Sequence, residues 1–228
     1  MAFRVALTFD TEYPDRSAAD GNVERLLDAL AALEVRATFF VQGRWVEAYS
    51  EVGQRIAADG HLVGNHSHYH ARLPLLTPSG MAIDVRAAER AIREHLGVDP
   101  RPWFRCSFGA GADDPELIGR LGELGYREVD WHVNPEDWDP PNSAVDIEQF
   151  VVDGVLAQGD GAVVLLHAWP DPTAAVVRAI VPRLTYEGAT FVGVDDLAVL
   201  PSFLPVGSGS RPHWRSPAPA SLGGRPSH

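Results

Sequence analysis

The feature of this sequence that most constrains its fold is the alternation of short apolar runs with longer amphipathic stretches. The apolar runs are residues 5–9, 37–41, 61–64, 103–104, 127–129, 162–166 and 190–192. Stretches with helical periodicity lie between them, at residues 23–33, 46–58, 80–96, 115–124, 145–157 and 173–187. Strands that alternate with helices pair in parallel, because each crossover helix returns the chain to the same end of the sheet. The pattern therefore predicts an α/β fold, a distorted (β/α) barrel of about seven units in a single domain.

The C-terminal segment differs from the rest of the chain in composition. Pro, Gly and Ser dominate residues 202–228, and segments of this composition bury too few apolar side chains to become ordered. We therefore expect one domain over residues 1–201 and a flexible tail over residues 202–228. His213 and Trp214 lie in this tail, and we assign them no function.

Length and composition exclude several classes of protein. The chain has 228 residues, of which 45% are hydrophobic, and this supports a full core. Its net charge of −12, with 19 thinly spread Lys and Arg residues, argues against nucleic acid as a partner. No apolar run approaches the roughly 18–20 residues of a membrane-spanning helix. No signal peptide precedes the first strand, so the sequence reads as cytoplasmic. It predicts no particular oligomeric state.

Polar residues cluster directly after several of the predicted strands. Asp10 and Glu12 follow the first strand, and His167 ends the fully apolar strand at residues 162–166. Catalytic groups of parallel α/β barrels gather at the carboxyl ends of the strands. These positions therefore favour function, although an Asp–Glu pair after a strand also occurs in solvated turns.

A histidine cluster at residues 66–70 predicts a metal or catalytic site. Three of the nine histidines of the chain fall within these five residues. On a helical turn His66 and His70 share one face, whereas an extended chain aligns His66, His68 and His70. Imidazole combined with carboxylate suits zinc, and also cobalt, nickel or iron. The sequence therefore predicts one divalent metal ion, with zinc favoured.

The third cluster contains an arginine and the single cysteine of the chain. Arg105 follows two aromatic residues at a strand end and can hold a carboxylate through two nitrogens. Cys106 excludes an intrachain disulfide, and we interpret it as a small buried thiol, because only Arg105 is near enough in sequence to lower its pKa. A polar and aromatic loop that contains Asp137 and Trp138 lies between this cluster and His167.

Taken in chain order, these motifs resemble the five motifs of the polysaccharide deacetylase family, also known as carbohydrate esterase family 4 or the NodB-homology domain. The motifs here are Thr8-Phe9-Asp10, His66-Ser67-x-x-His70, Arg105-x-x-Phe108-Gly109, Asp137-Trp138 and Leu165-Leu166-His167. The resemblance implies a distorted β/α barrel and metal-dependent removal of an N-acetyl group from an aminosugar-containing substrate. Because the family also includes deformylases and amide or imide hydrolases, a deformylase or amidase/imidase acting on a small intracellular amide is the alternative. A non-catalytic carbohydrate-binding relative is the alternative of another class, and the presence of Asp10 and His167 argues against it.

The resemblance also implies a role for each matched residue. The metal ligands would be His66 and His70. The catalytic residues would be Asp10 as general base, His167 as general acid, Arg105 to position Asp10, and Asp137 to orient His167. The substrate-binding groups would be the backbone N–H of Phe108 as oxyanion donor, with Trp138 and Leu165 as walls of a pocket for the acyl methyl group.

The chain departs from the common family pattern at three places. Thr11 stands where many members have a second, metal-binding Asp, and Glu12 fits the pattern of relatives whose ligand is one residue further on. We therefore take Glu12 as the third metal ligand, and Asp10 is the alternative for that position. Since alternate residues of an extended strand point to the same side, the carboxylates of Asp10 and Glu12 would both face the barrel mouth. The competing interpretation leaves Glu12 solvated and fills the site with two histidines and water. Cys106 and Ser107 replace prolines of the arginine motif, and Asn134 replaces a frequent Asp.

Overall fold

The structure, a computed structural model, describes residues 2–12 and 21–197. Within these ranges the strands are β1 (Phe3–Thr11), β2 (Thr38–Val41), β3 (Leu62–Asn65), β4 (Trp103–Phe104), β5 (Arg127–Glu128), β6 (Ala162–His167) and β7 (Ala189–Phe191). Each strand overlaps one of the predicted apolar runs, which confirms that set. The predicted tail at residues 202–228, with His213 and Trp214, lies outside the described residues, so the boundary after residue 201 stays a prediction.

β1 is the longest strand and organises the sheet. The hydrogen-bonded order is β5-β4-β3-β2-β1-β6, every pair is parallel, and β7 pairs with residues 3–5 of β1. The chain after β5 crosses to the opposite edge of the sheet. At the start of this segment the N–H of Val129 donates to the carbonyl oxygen of Phe104 in β4 at 2.8 Å, and four residues later Val133 pairs with Val164 of β6. This crossing links the two edges, as expected of a distorted (β/α) barrel in one domain.

Helices connect the strands within the described part of the chain. They are α1 (Asn22–Ala32), α2 (Gly43–Ala48), α3 (Ser50–Ala58), α4 (Pro78–Leu96), α5 (Pro115–Glu123), α6 (Ala144–Gln158), α7 (Thr173–Tyr186) and α8 (Val194–Leu197). The single helix predicted at residues 46–58 was wrong. Tyr49 separates α2 from α3, because its backbone angles of φ −126° and ψ 48° lie outside the helical region. Among the helices described, none has the length and apolar character needed to cross a membrane.

The alternation of residues along β1 divides its side chains between two environments. The side chains that join the large core shared with α1 and α7 are Val5, Leu7 and Phe9. Ala6 belongs instead to a separate apolar cluster with residues of β2 and β6. Since neighbouring strand residues point to opposite faces, Thr8 and Asp10 lie on the same interior face as Ala6. This alternation places the carboxylate of Asp10 inside the barrel at the carboxyl end of β1.

α4 is the longest described helix and lies beside the loop that follows β3. The hydroxyl of Thr77 caps its first turn by accepting the N–H of Gly80 at 3.1 Å, and Gly97 ends it at φ 69°. Its buried face includes Met81, Asp84 and Val85. A carboxylate on this otherwise apolar face needs hydrogen-bond donors, and the loop after β3 supplies them.

Candidate active site

The carboxyl ends of β1, β3, β4 and β6 meet at one end of the barrel. Asp10 pairs in register with His167 across β1 and β6. The last residues of β3 and β4 also pair with each other, so His66 and Arg105 leave their strands side by side. All four of these side chains are buried. The register of the sheet therefore brings together polar residues that are far apart in the sequence.

Glu12, His66 and His70 form a compact cluster in which one potential ligand atom of each lies within 4.8 Å of the others. Oε2 of Glu12 is 2.5 Å from Nε2 of His70 and 3.9 Å from Nε2 of His66. The same nitrogen of His66 lies 3.5 Å from Oδ2 of Asp10. Nδ1 of His66 is 2.9 Å from the carbonyl oxygen of Arg105. A proton on Nδ1 donates this hydrogen bond, which leaves the lone pair of Nε2 facing the carboxylates.

The backbone between His66 and His70 is neither helical nor extended, so neither of the two geometries considered from the sequence describes it. Ser67 and His70 have φ values of 62° and 55°. Residues with a Cβ adopt this left-handed region infrequently, and the surrounding structure must hold them there. The rings of His66 and His70 lie 4.9 Å apart between centroids. A loop, rather than a regular element, accounts for their convergence.

Buried side chains on both sides hold this loop in place. Oδ1 of Asn65 accepts the N–H of Ser67 at 2.8 Å. The carboxylate of Asp84 on α4 accepts the N–H groups of His68 at 3.1 Å and Tyr69 at 3.0 Å. These contacts satisfy backbone donors that would otherwise be buried without partners. Asp84 therefore positions the histidine loop without contacting the cluster itself.

His68 lies outside the Glu12–His66–His70 cluster. Its Nε2 is 4.0 Å from Oε2 of Glu47, on α2. Its Nδ1 lies against Gly43, the first residue of α2, and a Cβ at that position would overlap the ring. His68 thus packs against α2, whereas its neighbours two residues away face the barrel mouth.

Arg105 is fully buried and holds Asp10 from one side. Its Nη1 donates to Oδ1 of Asp10 at 3.0 Å and to the hydroxyl of Thr8 at 2.7 Å. Its Nε donates to the carbonyl oxygen of Val129 at 3.0 Å, and Cζ lies 4.1 Å from the centre of the Phe40 ring. The expected contact through two nitrogens was therefore wrong. One nitrogen reaches the carboxylate because the Nε bond and the stacked ring orient the guanidinium differently.

Asp137 holds His167 through both of its carboxylate oxygens. Oδ1 is 2.8 Å from Nδ1 of His167, and Oδ2 accepts the backbone N–H of His167 and the hydroxyl of Thr173, both at 2.9 Å. Burial disfavours the charged imidazole. The charge and hydrogen bond of Asp137, with the nearby Glu12 and Asp10, outweigh this effect and raise the pKa of His167 to about 9. Because Nδ1 is committed to Asp137, Nε2 is the nitrogen that can donate a proton.

Glu12 stands between His70 and His167. Its Oε1 lies 3.8 Å from Nε2 of His167 and accepts the indole N–H of Trp169 at 3.3 Å. Burial alone would raise the pKa of this carboxyl, but the hydrogen bond to His70 and the charges of the surrounding histidines lower it to about 2. Burial lowers the pKa of His66. The cluster therefore presents an ionised carboxylate and a neutral imidazole, the protonation states that metal ligands require.

Thr11 points away from the cluster, as the alternation of an extended strand predicts. Its hydroxyl lies 3.4 Å from the backbone nitrogen of Gln42, at the end of β2. Asp10 and Glu12, on either side of it in the sequence, both approach Nε2 of His66. The two carboxylates therefore share one side of the chain.

The three residues expected to bind substrate lie at different depths. Leu165 is buried on the interior face of β6, two residues before His167. Phe108 follows β4 at φ 60°, is 48% exposed, and its ring centre lies 4.4 Å from that of His70. Trp138 is 44% exposed and directly follows the aspartate that contacts His167. Two aromatic side chains thus lie towards solvent and one aliphatic side chain lies below.

The departures from the common motifs are accommodated locally. Cys106 is buried, and burial raises the pKa of its thiol, which confirms the interpretation as an unreactive buried group. Oγ of Ser107 lies 3.4 Å from Oγ of Ser67 and so connects the arginine motif to the histidine loop. Oδ1 of Asn134 accepts the N–H of Glu136 at 3.1 Å. Asn134 therefore shapes the loop that carries the fourth motif.

Asp84, Trp169 and Thr173 position the site and were not predicted from the sequence, and Thr8 was part of the first motif without a role. Thr8 lies two residues before Asp10 on β1, so strand alternation was an available signal for it, whereas Trp169 lies beyond the end of β6. The helical period of α4 similarly places Asp84 on its buried face. The contact between Thr173 and the fourth motif has no signal in the sequence, since it depends on how α7 packs.

Parallel β/α barrels that gather imidazoles and carboxylates at the carboxyl ends of their strands are typically enzymes, and a combination of such groups with potential metal ligands is typical of hydrolases. The family described as polysaccharide deacetylase matches residues 2–129 of the sequence. The chain belongs to this polysaccharide deacetylase family, whose members hydrolyse carbon–nitrogen bonds other than peptide bonds. The resemblance drawn from the motifs is confirmed.

Individual relatives support the same assignment. The chitooligosaccharide deacetylase of Rhizobium leguminosarum bv. trifolii is 34% identical over 183 residues, which cover 72% of this chain and 80% of that protein. The uncharacterized protein YlxY of Bacillus subtilis is 28% identical over 86% of this chain, and the match spans 56% of its own length. The solved structure of the T48 deacetylase with substrate has a TM-score of 0.75 at 29% identity, covering 86% of this chain and 90% of that chain.

Proposed function

We propose that this chain is a metal-dependent hydrolase that removes an N-acetyl group from an aminosugar-containing substrate. The observation that carries the proposal is the placement of two pairs, Asp10–Arg105 and His167–Asp137, next to the Glu12 cluster. A relative named as a chitooligosaccharide deacetylase supports an acylated aminosugar as substrate. The cytoplasm is the proposed location and stays a prediction from the sequence.

Glu12, His66 and His70 would hold one divalent metal ion. Their donor set, one ionised carboxylate and two imidazoles, fits a catalytic site with three protein ligands and an open position. Zinc is the proposed metal, and cobalt, nickel or iron suit the same donors. Such an ion supplies Lewis-acid chemistry and lowers the pKa of water to about 7. The hydrogen bond between Nδ1 of His66 and the carbonyl of Arg105 would orient that ligand.

Asp10 would act as the general base. Arg105 holds its Oδ1 at 3.0 Å, whereas Oδ2 lies beside Nε2 of His66 at 3.5 Å. Oδ2 is therefore the atom that would take a proton from the attacking water. The hydrogen bond from the buried arginine orients this carboxylate between turnovers.

His167 would act as the general acid. After water adds to the acyl carbon, the carbon–nitrogen bond breaks, and Nε2 of His167 gives its proton to the leaving amine. Asp137 holds Nδ1 at 2.8 Å, so the ring cannot turn and its positive charge is stabilised until the proton leaves. The products are a free amine and a carboxylic acid, which ionises in solvent. The proton that Asp10 took from water passes through solvent to His167, which returns both groups to their starting states.

The backbone N–H of Phe108 would donate to the acyl oxygen as negative charge develops on it. The positive φ of Phe108 supports this assignment, because such a conformation turns a backbone N–H away from regular pairing. Leu165 and Trp138 would form the walls of the pocket for the acyl methyl group. A small apolar pocket favours acetyl over larger or charged acyl groups.

The test is acetate release from N-acetylglucosamine oligomers by protein stripped with a chelator and then reloaded with zinc or cobalt. We expect acetate only from the loaded protein. Formate release from N-formyl analogues, faster than acetate release, would instead support the deformylase alternative. Oligomer binding without any release of acyl product would support a non-catalytic relative and contradict the proposal.

We expect His68→Ala to retain bound metal, whereas His66→Ala and His70→Ala lose it. The reason is geometric, because His68 packs against α2 and the other two histidines face Glu12. Metal content per chain after gel filtration measures the effect, and circular dichroism confirms folding. A His68→Ala variant that loses metal while His70→Ala keeps it would overturn the ligand assignment.

We expect Glu12→Ala to weaken metal affinity by at least about 10²-fold, more than loss of an outer partner of a ligand usually costs. Glu12→Gln should lose affinity too, because the amide carries no charge. Thr11→Ala is the matched control, since that side chain faces β2. Competition with a chelating dye gives the affinities. Tight metal binding and turnover by Glu12→Ala would exclude Glu12 as a ligand and return Asp10 to consideration.

A further inference from the structure

Arg72 lies at the rim of the site, with its guanidinium over the ring of Phe108. Its Cζ is 4.1 Å from the centre of that ring, and the ring centre is 4.4 Å from that of His70. Arg72 itself is exposed, as is much of Phe108. One aromatic ring therefore connects a solvent-facing positive charge to a proposed metal ligand.

The backbone of Arg72 is anchored on both sides. His70 and Leu73 are buried, and the carbonyl oxygen of Arg72 accepts the N–H of Leu75 at 2.9 Å. A free arginine side chain loses considerable rotamer entropy when it binds a ligand. Contact with the Phe108 ring restricts the side chain in advance and orients the plane of the guanidinium. The guanidinium of Arg72 is therefore oriented, before any ligand binds, towards a position beside the site.

The charge of Arg72 lacks a carboxylate partner among the residues that the structure describes, within the ion-pair distance of 4.0 Å. Some other arginines near the surface have such partners, for example Arg93 with Asp99 at 2.6 Å and Arg120 with Glu116 at 2.6 Å. In a chain with a net charge of −12, an uncompensated cation at the mouth of the site is available to a ligand. The guanidinium matches the paired oxygens of a carboxylate or a phosphate.

We propose that Arg72 binds an anionic substituent of the substrate, so that the chain prefers acylated aminosugars that carry a carboxylate or a phosphate near the acylamino group. The inference rests on the proposed deacylation at the adjacent site. The backbone N–H of Phe108 is the proposed donor to the acyl oxygen, and the guanidinium of Arg72 lies 4.1 Å from the ring centre of the same residue, so a negative group close to the acylamino group is within reach of this charge. Arg72 is then a specificity-determining residue, and takes no part in the proton transfers.

Two matched probe pairs separate charge from shape and carboxylate from phosphate. The first pair is the methyl glycoside of N-acetylmuramic acid and its neutral carboxamide. The second pair is N-acetylglucosamine 1-phosphate, whose phosphate is on the ring carbon next to the one that carries the acylamino group, and N-acetylglucosamine. Dissociation constants are measured by calorimetry in the metal-loaded Asp10→Asn background, where turnover is suppressed, and kcat/KM is measured with Asp10 intact.

We expect at least one anionic probe to bind about tenfold more tightly than its neutral partner, a difference that a charge-assisted hydrogen bond supplies. Arg72→Gln should abolish this preference, and Arg72→Lys should retain part of it because the charge remains. Arg120→Gln is the control, since it removes one positive charge from a partly exposed site on α5, remote in sequence from the histidine loop. The preference should also weaken as the salt concentration rises.

Equal binding of both members in both pairs would overturn the inference. So would an Arg72→Gln variant that weakens neutral and anionic probes alike, because Arg72 would then only support Phe108. An Arg72-dependent preference in binding, without acyl release from any probe by the parent protein, would retain the anion site and reject the proposed hydrolysis. The two proposals therefore fail separately.

Discussion

Asp10→Asn is expected to lower kcat for acetate release by about 10²–10⁴ and to leave the fold and the bound metal intact. Asparagine keeps the size of the side chain and an oxygen that can accept the Nη1 bond of Arg105. It lacks the basicity needed to take a proton from water. The measurement is kcat on an N-acetylglucosamine oligomer, together with circular dichroism and metal content.

A surface exchange of the same kind controls for the Asp10 experiment. Asp153→Asn removes a carboxylate from the exposed face of α6, where it accepts a bond from Gln149 at 2.7 Å, and it should turn over normally. Near-normal turnover by Asp10→Asn would reject the role of Asp10 as base. Loss of the metal from Asp10→Asn would instead show that Asp10 is a ligand and that Glu12 does not complete the site alone.

His167→Ala is expected to lower kcat by a similar factor, about 10²–10⁴, when the leaving group is an amine. An amine is a poor leaving group unless it receives a proton. Nε2 of His167 is the proposed donor of that proton. An aryl ester such as 4-nitrophenyl acetate has a leaving group that needs no proton. The loss of kcat on that ester should therefore be much smaller than on the amide.

The loss of kcat on the amide, divided by the loss on the ester, distinguishes a role of His167 as general acid from a purely structural role. A variant that is equally impaired on amide and ester would show that His167 supports the site without donating the proton. Asp137→Asn offers an intermediate case, because it removes the charge opposite Nδ1 and retains an oxygen that can accept a hydrogen bond. We expect a smaller loss for Asp137→Asn than for His167→Ala, with the same dependence on the leaving group.

Periodicity predicted the elements of this fold well because it reports which faces are buried. The strand at residues 162–166 is apolar throughout, since helices cover one face and the barrel interior covers the other. The prediction failed at residues 46–58, where the helical period continues across Tyr49 although the backbone does not. A pattern of buried positions can survive a break in the helix when both pieces pack on the same core.

In the candidate site, too, local patterns predicted the directions of some side chains and did not predict others. Strand alternation was sufficient to expect Asp10 and Glu12 on one side and Thr11 on the other. It did not predict the loop that brings His66 and His70 together, because the positive φ angles there depend on hydrogen bonds that Asp84 and Asn65 accept from the loop backbone. Contacts of this kind join residues whose distance in the sequence carries no signal.

By itself, the sequence determined the class of fold, the strand ends that carry the polar groups and the family to which the chain belongs, because each of these depends on local patterns of residue type. Only the tertiary structure decided which atoms meet. In it, Arg105 contacts Asp10 through one nitrogen, and His68 packs against α2 and not in the cluster. The guanidinium of Arg72 lies over the ring of Phe108. The physical reason is that orientation follows from the packing and hydrogen bonding of the whole barrel, in which residues far apart in the chain compete for the same space and the same donors.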